Sequence, residues 1–222
     1  MRSLIKQLIN EQIAEAVSVK QALADSSDAI AAIQLAAQKC VAVYQRGNKI
    51  LIAGNGGSAA DAQHMAAELS GRFNFDRPGI PAIALTANTS AVTAIANDYG
   101  YEKVFSRQAQ AYGQPGDLFV GISTSGNSTN ILAAIDHCRE NKMETIALTG
   151  LGGGKMAAVS DVSIQIPSKS TPRVQECHIL IVHMLCAAVE EVLFGQRANS
   201  LVPDSAVASQ PVFAKTAVPL SA

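Results

Sequence analysis

The chain has 222 residues and a mass of 23.1 kDa, which fits one domain or one domain with a helical extension. Hydrophobic residues make up 48% of the sequence and charged residues 16%, a composition that excludes an intrinsically disordered chain. Lys and Arg total 17 against 18 Asp and Glu, a net charge of -1, so the sequence lacks the basic surface that sequence-independent nucleic-acid binding or anionic membranes require.

The first 46 residues predict a pair of helices, at about 3–46, because apolar residues recur there at helical spacing. The first helix carries an apolar stripe formed by Leu4, Ile5, Leu8, Ile9 and Ile13. Such a stripe must be buried against another surface, and a partner subunit is the candidate. Polar residues occur throughout the N-terminus, and no run approaches the roughly 18 apolar residues of a membrane span. We therefore expect a cytoplasmic protein without a signal peptide.

From residue 48 onward, short apolar segments alternate with helical segments. Five of them are mostly apolar on both faces, which is typical of strands buried on both sides of a parallel sheet. These are residues 49–53, 82–86, 118–122, 145–149 and 162–166. The pattern predicts a three-layer α/β sandwich with a five-stranded parallel sheet, of the flavodoxin-like or Rossmann-like type, closed by a helix from about Pro172 to Phe194.

The end of the chain differs from the rest. Residues 197–222 lack periodicity and contain three prolines. We interpret residues 1–196 as a single domain and residues 197–222 as a flexible tail, with a segment that docks on a partner as the alternative.

The four cysteines form no CxxC pair, and each lies in an apolar, helical stretch. This pattern favours buried free thiols in a reducing compartment. The residues are Cys40, Cys138, Cys177 and Cys186.

A glycine-rich loop at residues 54–58 (GNGGS) directly follows the first predicted strand and precedes a helix. Glycines allow a ligand to approach the backbone closely, and a helix N-terminus offers free N–H groups to an anion. The loop is not a Walker A motif, because no GK[ST] follows, and it does not match the GxGxxG dinucleotide fingerprint. A plain strand-to-helix turn is the alternative interpretation.

A second loop at residues 123–129 (STSGNST) follows the third predicted strand and also precedes a helix. Its clustered hydroxyl groups, with no charged residue among them, suit a phosphate monoester, since hydroxyls and backbone amides can surround the phosphate oxygens. Ser and Thr are also ordinary helix N-caps, but a cap needs only one of them. The sequence therefore predicts a phosphate-binding loop.

Titratable residues lie on the two helices nearest these loops. His64 and Glu68 are four residues apart and share one helix face. An exposed ion pair is the common explanation for this spacing, whereas an imidazole beside a carboxylate at a ligand crevice can bind a divalent metal or transfer protons. On the closing helix, His178 and His183 point to different faces, and spacing alone favours a core position for His183.

Four long segments together resemble the sugar isomerase (SIS) domain and, within it, the phosphoheptose isomerases. They are residues 54–73, 77–108, 116–131 and 173–186, and the resemblance covers about residues 1–196. It implies interconversion of D-sedoheptulose 7-phosphate and D-glycero-D-manno-heptose 7-phosphate through an enediol, for the heptose of lipopolysaccharide. It also implies a homotetramer with active sites at the subunit interfaces and one zinc ion per subunit.

The same resemblance implies the functional residues. Its catalytic pair falls on Glu68, as the base, and His183. Its metal ligands fall on His64, Glu68, Gln175 and His183. Its substrate contacts fall on Asn55, Gly56, Gly57, Asn97, Asp98, Ser123, Thr124, Ser125, Ser128 and Gln175. Judged from the residues alone, Asn97 and Asp98 fit sugar hydroxyls and an ordinary turn equally well.

The spacing of two implied metal ligands raises a geometric question. Gln175 and His183 are eight residues apart, so on an unbroken helix their backbones differ by roughly 12 Å in height. We hypothesise that at least one ligand comes from a neighbouring subunit, or that zinc is bound by fewer than the four residues.

Two other classes of protein remain alternatives. A relative that associates with the replication initiator DnaA resembles the chain along much of its length but does not keep the acid/base positions. The presence of His64, Glu68 and His183 favours the enzyme over such a non-catalytic SIS protein. A sugar-phosphate-sensing regulator is disfavoured, because no basic helix-turn-helix precedes residue 48.

Overall fold

The computed structural model describes residues 1–195, and the predicted tail at 197–222 lies outside these residues. Two helices precede an alternation of strands and helices, which confirms the predicted N-terminal pair and the α/β pattern. In chain order the elements are α1 (Arg2–Ala24), α2 (Ser27–Gln45), β1 (Ile50–Gly54), α3 (Gly57–Ser70), β2 (Ala82–Ala84), α4 (Thr89–Tyr99), a 3-10 turn (Tyr101–Lys103), α5 (Val104–Tyr112), β3 (Leu118–Ser123), α6 (Thr129–Glu140), β4 (Glu144–Thr149), α7 (Gly154–Val159), β5 (Val162–Gln165) and α8 (Thr171–Phe194).

The five strands form one parallel sheet, as predicted, and their order is β2-β1-β3-β4-β5. β1, β3 and β4 lie inside the sheet, and their residues are almost all buried, which explains their continuous apolar sequences. β2 lies at an edge and is shorter than the predicted 82–86, because the chain leaves the sheet after Ala84 to form the turn before α4.

The sheet separates two hydrophobic cores. Ile50 and Ile52 of β1 face the core that contains α2, α3 and α8, whereas Leu51 and Ala53 face the core that contains α5, α6 and α7. This alternation follows from the two-residue period of a strand. The result is the predicted sandwich of helix, sheet and helix layers.

The cysteines are buried and free, as predicted. They lie on α2, α6 and α8, inside the two cores. Burial raises the pKa of Cys138 and of Cys186 to about 12, so both thiols are protonated at neutral pH.

Among residues 1–195, α8 is the one helix whose length and composition would suit a membrane span. Its buried residues pack in the same core as α2 and α3, so its apolar character is that of a core helix. α1 is different: its apolar stripe, extended by Val17, is between 49% and 61% exposed. α1 is linked to α8 by Arg173, which donates to the backbone carbonyl of Gln12, and by the 3.2 Å ion pair of Lys20 with Glu176.

Candidate active site

The strand order locates a crevice at the carboxyl edge of the sheet. The chain passes from β1 to the edge strand β2 and then crosses to β3 on the other side of β1, so the direction of strand order changes between β1 and β3. Open parallel sheets bind ligands at this switch point. A cleft of about 310 Å³ lies there. It is lined by Asn55, Gly56, Gly57, Ser58, Ile122, Ser123, Thr124, Ser125, Ser128, Thr171 and Gln175.

The glycine loop lets the chain enter α3 without side chains in the way. Gly56, the residue before the helix, has a φ of 57°, which favours glycine. At Gly57 a Cβ atom would lie 2.5 Å from Nε2 of Gln175, so the amide of Gln175 packs directly on the glycine backbone. The glycine at position 57 therefore lets α8 approach the start of α3 at the cleft.

In the second loop, residues 123–129 (the hydroxyl loop), the serine hydroxyls contact one another. Ser123 Oγ lies 2.8 Å from Ser128 Oγ and 3.4 Å from Ser125 Oγ. Ser128 is the N-cap residue of α6, yet its side chain makes no capping hydrogen bond. The alternative in which these residues are ordinary helix caps does not describe Ser128. The hydroxyls instead form a cluster on the wall of the cleft.

A third glycine run supports the hydroxyl loop from behind. The backbone N–H of Met156 donates to the carbonyl of Gly126 at 2.9 Å, and that of Lys155 donates to Oδ1 of Asn127 at 3.1 Å. A Cβ atom at Gly126 would lie 2.1 Å from the carbonyl oxygen of Gly153. This glycine run, residues 151–154, therefore packs against the hydroxyl loop.

Two histidines and a glutamate converge between α3 and α8. His64 Nε2 lies 3.0 Å from Glu68 Oε1 and 3.1 Å from His183 Nε2. One potential ligand atom from each of the three residues lies within 4.8 Å of the others. Two imidazole nitrogens and a carboxylate oxygen at this spacing are a donor set that suits zinc, and they leave a fourth position for another ligand.

Helix α8 carries one core histidine and one site histidine. His178 is fully buried, and its Nε2 donates to the carbonyl of Thr149 at 3.2 Å. Burial lowers its pKa to about 4, against the smaller raising effect of that hydrogen bond, so His178 is neutral. His183 is only partly buried and contacts His64. The core position that spacing alone favoured for His183 is wrong, because the face of α8 that packs against the core carries His178 and not His183.

A buried ion pair fixes the segment that follows α3. Arg77 Nε donates to Glu190 Oε2 at 3.1 Å, and Glu190 also accepts the backbone N–H groups of residues 73–75. Burial raises the pKa of Glu190, but these N–H groups and Arg77 lower it more, so its pKa lies below the usual range. The segment holds the ring of Phe73 with its centroid 5.7 Å from that of His183.

The structure brings together most of the residues that the resemblance implied, but not all. Gln175 lies at the cleft, about 12 Å along α8 from His183. Asn97 and Asp98 lie on the exposed side of α4, where Asn97 donates to Asp98 at 2.8 Å, and they are outside the lining of the cleft. Three of the four implied metal ligands thus meet within one chain.

Sequence reasoning missed several polar residues at or beside the site. Asp61 lies one turn before His64; its Oδ2 is buried without a hydrogen bond, and burial raises its pKa to about 6, against a lowering effect of His64. Tyr101 and Asn130 contact Asn55, which lines the cleft. Thr171 and Ser58 line the cleft themselves. Four of these residues, Ser58, Asp61, Tyr101 and Asn130, lie inside the segments that resemble the family, and Ser58 also ends the glycine loop.

The chain is similar in sequence to known proteins. The SIS-domain family model matches residues 13–150. A phosphoheptose isomerase of Aneurinibacillus thermoaerophilus is 55% identical over 189 residues, which cover 85% of this chain and 96% of the relative. One from Sulfurimonas denitrificans is 51% identical over 195 residues, covering 88% of this chain and all of the relative. The chain belongs to the phosphoheptose isomerase family.

Solved structures of this family show the same fold. The phosphoheptose isomerase of Neisseria gonorrhoeae superposes with a TM-score of 0.80 at 43% identity, covering 85% of this chain and all of that one. The enzyme from Francisella tularensis gives the same TM-score at 37% identity. The protein is therefore an α/β enzyme of the phosphoheptose isomerase family, with an SIS domain preceded by N-terminal helices.

Proposed function

We propose that the protein interconverts D-sedoheptulose 7-phosphate and D-glycero-D-manno-heptose 7-phosphate, a reaction that supplies heptose for lipopolysaccharide. The observation that carries the proposal is the convergence of His64, Glu68 and His183 on the same two helices, α3 and α8, that also line a hydroxyl-rich cleft. The three residues suit proton transfer, and the cleft suits a phosphate.

Glu68 acts as the base in this proposal. Moving the carbonyl from C2 to C1 requires removal of a proton from C1, formation of a cis-enediol, and return of a proton to C2. A single carboxylate beside both carbons can accept and return that proton. His183, whose Nε2 is 3.1 Å from His64, transfers the hydroxyl proton from O1 to O2. No oxidant or reductant is consumed.

His64, Glu68 and His183 would hold the metal, and zinc is the ion that two imidazoles and a carboxylate favour. When bound, the ion would supply positive charge near the oxygens whose negative charge increases during proton transfer. This arrangement fits the hypothesis that fewer than four residues of one chain bind the metal. Gln175 then serves the substrate at the cleft, where its amide packs on Gly57.

The hydroxyl loop binds the distal phosphate. Ser123, Thr124, Ser125 and Ser128 offer hydroxyl groups at the start of α6, and the glycine loop offers the start of α3. Contacts to a phosphate remote from the reacting carbons use binding energy to position those carbons beside Glu68. Asn55, Gly56 and Gly57 complete this end of the site.

The protein would work as a cytoplasmic homotetramer with its active sites at the subunit interfaces. The half-exposed apolar stripe of α1 supports assembly, because an exposed apolar patch of this kind is typical of a protein–protein interface, where its burial is favourable. Asn97 and Asp98 are exposed on their own subunit, which fits a role in a site completed across an interface. Light scattering of the purified protein would measure the mass, and Ile9→Lys is expected to lower it.

The test of the function is turnover of sedoheptulose 7-phosphate, followed by NMR as exchange of the C1 and C2 protons with solvent. The assay is run on protein with measured zinc content, before and after chelation, and the metal content gives a readout independent of activity. Glu68→Gln is the inactive control. A well-folded protein that neither converts the sugar nor exchanges its protons, with or without zinc, would contradict the proposal and favour the DnaA-binding alternative.

A further inference from the structure

The side chain of Asn55 is held by two residues that do not line the cleft. Asn55 Nδ2 donates to Asn130 Oδ1 at 3.0 Å, and Asn130 Nδ2 donates back to Asn55 Oδ1 at 2.9 Å. The hydroxyl of Tyr101 donates to the same Asn55 Oδ1 at 3.0 Å. Asn130 is 3% exposed at the start of α6, so its half of the pair is shielded from water.

These bonds decide what Asn55 can offer to a ligand. An amide oxygen has two lone pairs and an amide nitrogen has two hydrogens. Asn130 and Tyr101 occupy both lone pairs of Asn55 Oδ1, and Asn130 takes one of the two hydrogens of Nδ2. One N–H of Asn55 is left over, and Asn55 lines the cleft.

We propose that Asn130 and Tyr101 are positioning residues that fix the Asn55 amide so that it donates its remaining N–H to an acceptor oxygen of the sugar phosphate. The role in the reaction rests on the proposed isomerase function. A phosphate or carbonyl oxygen fits this N–H, because neither requires an acceptor in return. Asn55 and Asn130 are 75 residues apart, so the pair also links the glycine loop to the start of α6.

The bonds are suited to this role because an unrestrained Asn55 would lose its orientation. Without Asn130 and Tyr101, rotation of the amide about its last torsion would exchange the N–H and the carbonyl oxygen, and the carbonyl would face an anionic substrate. A fixed donor avoids that repulsion and needs no reorganisation when the substrate binds.

The test begins with Asn130→Ala and Tyr101→Phe, compared with Asn141→Ala at the far end of α6 and Tyr112→Phe on α5. We expect Asn130→Ala to lower kcat/KM about tenfold or more and Tyr101→Phe to lower it about threefold, mainly through KM. The two control variants should stay within about twofold of the wild type. Site variants that behave like their controls would overturn the proposal.

Asn130→Asp gives a second test with a signature that packing alone does not produce. A protonated carboxyl group both donates and accepts, as the Asn130 amide does, whereas a carboxylate only accepts. The ratio of kcat/KM in this variant to that in the wild type should therefore rise about tenfold as the pH falls through the pKa of the new group, which burial raises. A ratio that does not change with pH would overturn the proposal.

Hydrogen exchange without substrate separates this inference from the proposed function. In Asn130→Ala the amides of residues 54–58 should exchange at least about tenfold faster than in Asn141→Ala, because the loop has lost its link to α6. If the wild type shows no isomerase activity, the proposed function fails, and so does the role of Asn130 and Tyr101 in catalysis. Faster exchange in Asn130→Ala would then support only the structural link between Asn55 and Asn130. If the wild type is active and exchange and kinetics are unchanged, only the positioning proposal fails.

Discussion

Two polar regions of the molecule differ in how their polar side chains are paired. The first surrounds Asp117 where β1 and β3 begin, and the second comprises the cleft and the His64, Glu68 and His183 group of α3 and α8. At the end where the strands begin, Asp117 is fully buried and accepts hydrogen bonds from the side chain of Asn48, the backbone N–H groups of Lys49 and Gln114, and Lys49 Nζ at 2.6 Å. Glu144, nearby, pairs with Lys39 and Arg46.

In the second region, on α3, α8 and the hydroxyl loop, the polar groups mostly face one another. The nitrogens of His64 and His183 face each other beside Glu68, the serine hydroxyls contact one another, and Asp61 Oδ2 is buried without a partner. Similar side chains thus stabilise the domain in the first region and remain available to a ligand in the second.

The largest effect should come from Glu68→Gln in the His64, Glu68 and His183 group. Glutamine cannot accept the C1 proton, so kcat should fall by about 10² to 10⁴-fold, whereas the melting temperature and phosphate binding should change little. Steady-state kinetics and calorimetry on the same preparation check both parts. Appreciable residual turnover would reject Glu68 as the base.

The opposite profile, a loss of stability with activity kept, is expected in the region around Asp117. Asp117→Ala removes the acceptor of Lys49 and of two backbone N–H groups, and should cost about 3–5 kcal/mol of unfolding free energy. The activity per folded molecule should be kept. Urea unfolding at fixed protein concentration measures the loss, with Asp136→Ala on the exposed face of α6 as the control. If Asp117→Ala lowered activity without lowering stability, the difference proposed between the two regions would be wrong.

Smaller effects should follow from the hydroxyl loop. Ser123→Ala and Ser125→Ala each remove one hydroxyl from the cleft, and should raise KM about three- to tenfold with little change in kcat. Ser90→Ala, at the exposed start of α4, is the matched control. Unchanged KM values in both site variants would reject the proposal that this loop binds the phosphate.

The smallest effect concerns the pH dependence of stability. The pKa of Asp61 is about 6 in the folded protein and 3.8 in the unfolded reference, so the folded state binds the proton more strongly. The carboxylate that predominates above pH 6 therefore lowers the free energy of unfolding. Asp61→Asn should therefore stabilise the protein at pH 8 by about 1 kcal/mol, a value reduced for partial exposure. The gain should shrink as the pH falls from 6 to below 4. Unfolding curves at pH 8 and pH 4 give the comparison.

The sequence predicted the fold closely because the strands are buried on both faces. β1 and β3, for example, were expected at 49–53 and 118–122 and occur at Ile50–Gly54 and Leu118–Ser123. It also located both loops of the cleft, since each follows an apolar strand directly. These features depend on neighbours in the chain, which a single sequence displays.

Contacts between distant residues could not be predicted in this way. The bond between Asn55 and Asn130 joins residues 75 positions apart, and although Asn55 lies in the glycine loop, no local pattern indicates its pairing with Asn130. The two histidines of α8 were separable by face, but their spacing did not reveal which face meets the core. Packing of α8 against α2 and α3 decided that question, and placed His178 inside.

The anchoring of the 73–75 segment by Glu190 has a consequence for the order of folding. Glu190 lies 117 residues after Phe73 in the chain, and the last helix also supplies Gln175 and His183. Contacts of such long sequence separation form late, because a large loop must close first. A ribosome-bound chain that lacks α8 could build most of the sheet but not the catalytic centre. The active site is thus completed only when synthesis of the domain ends.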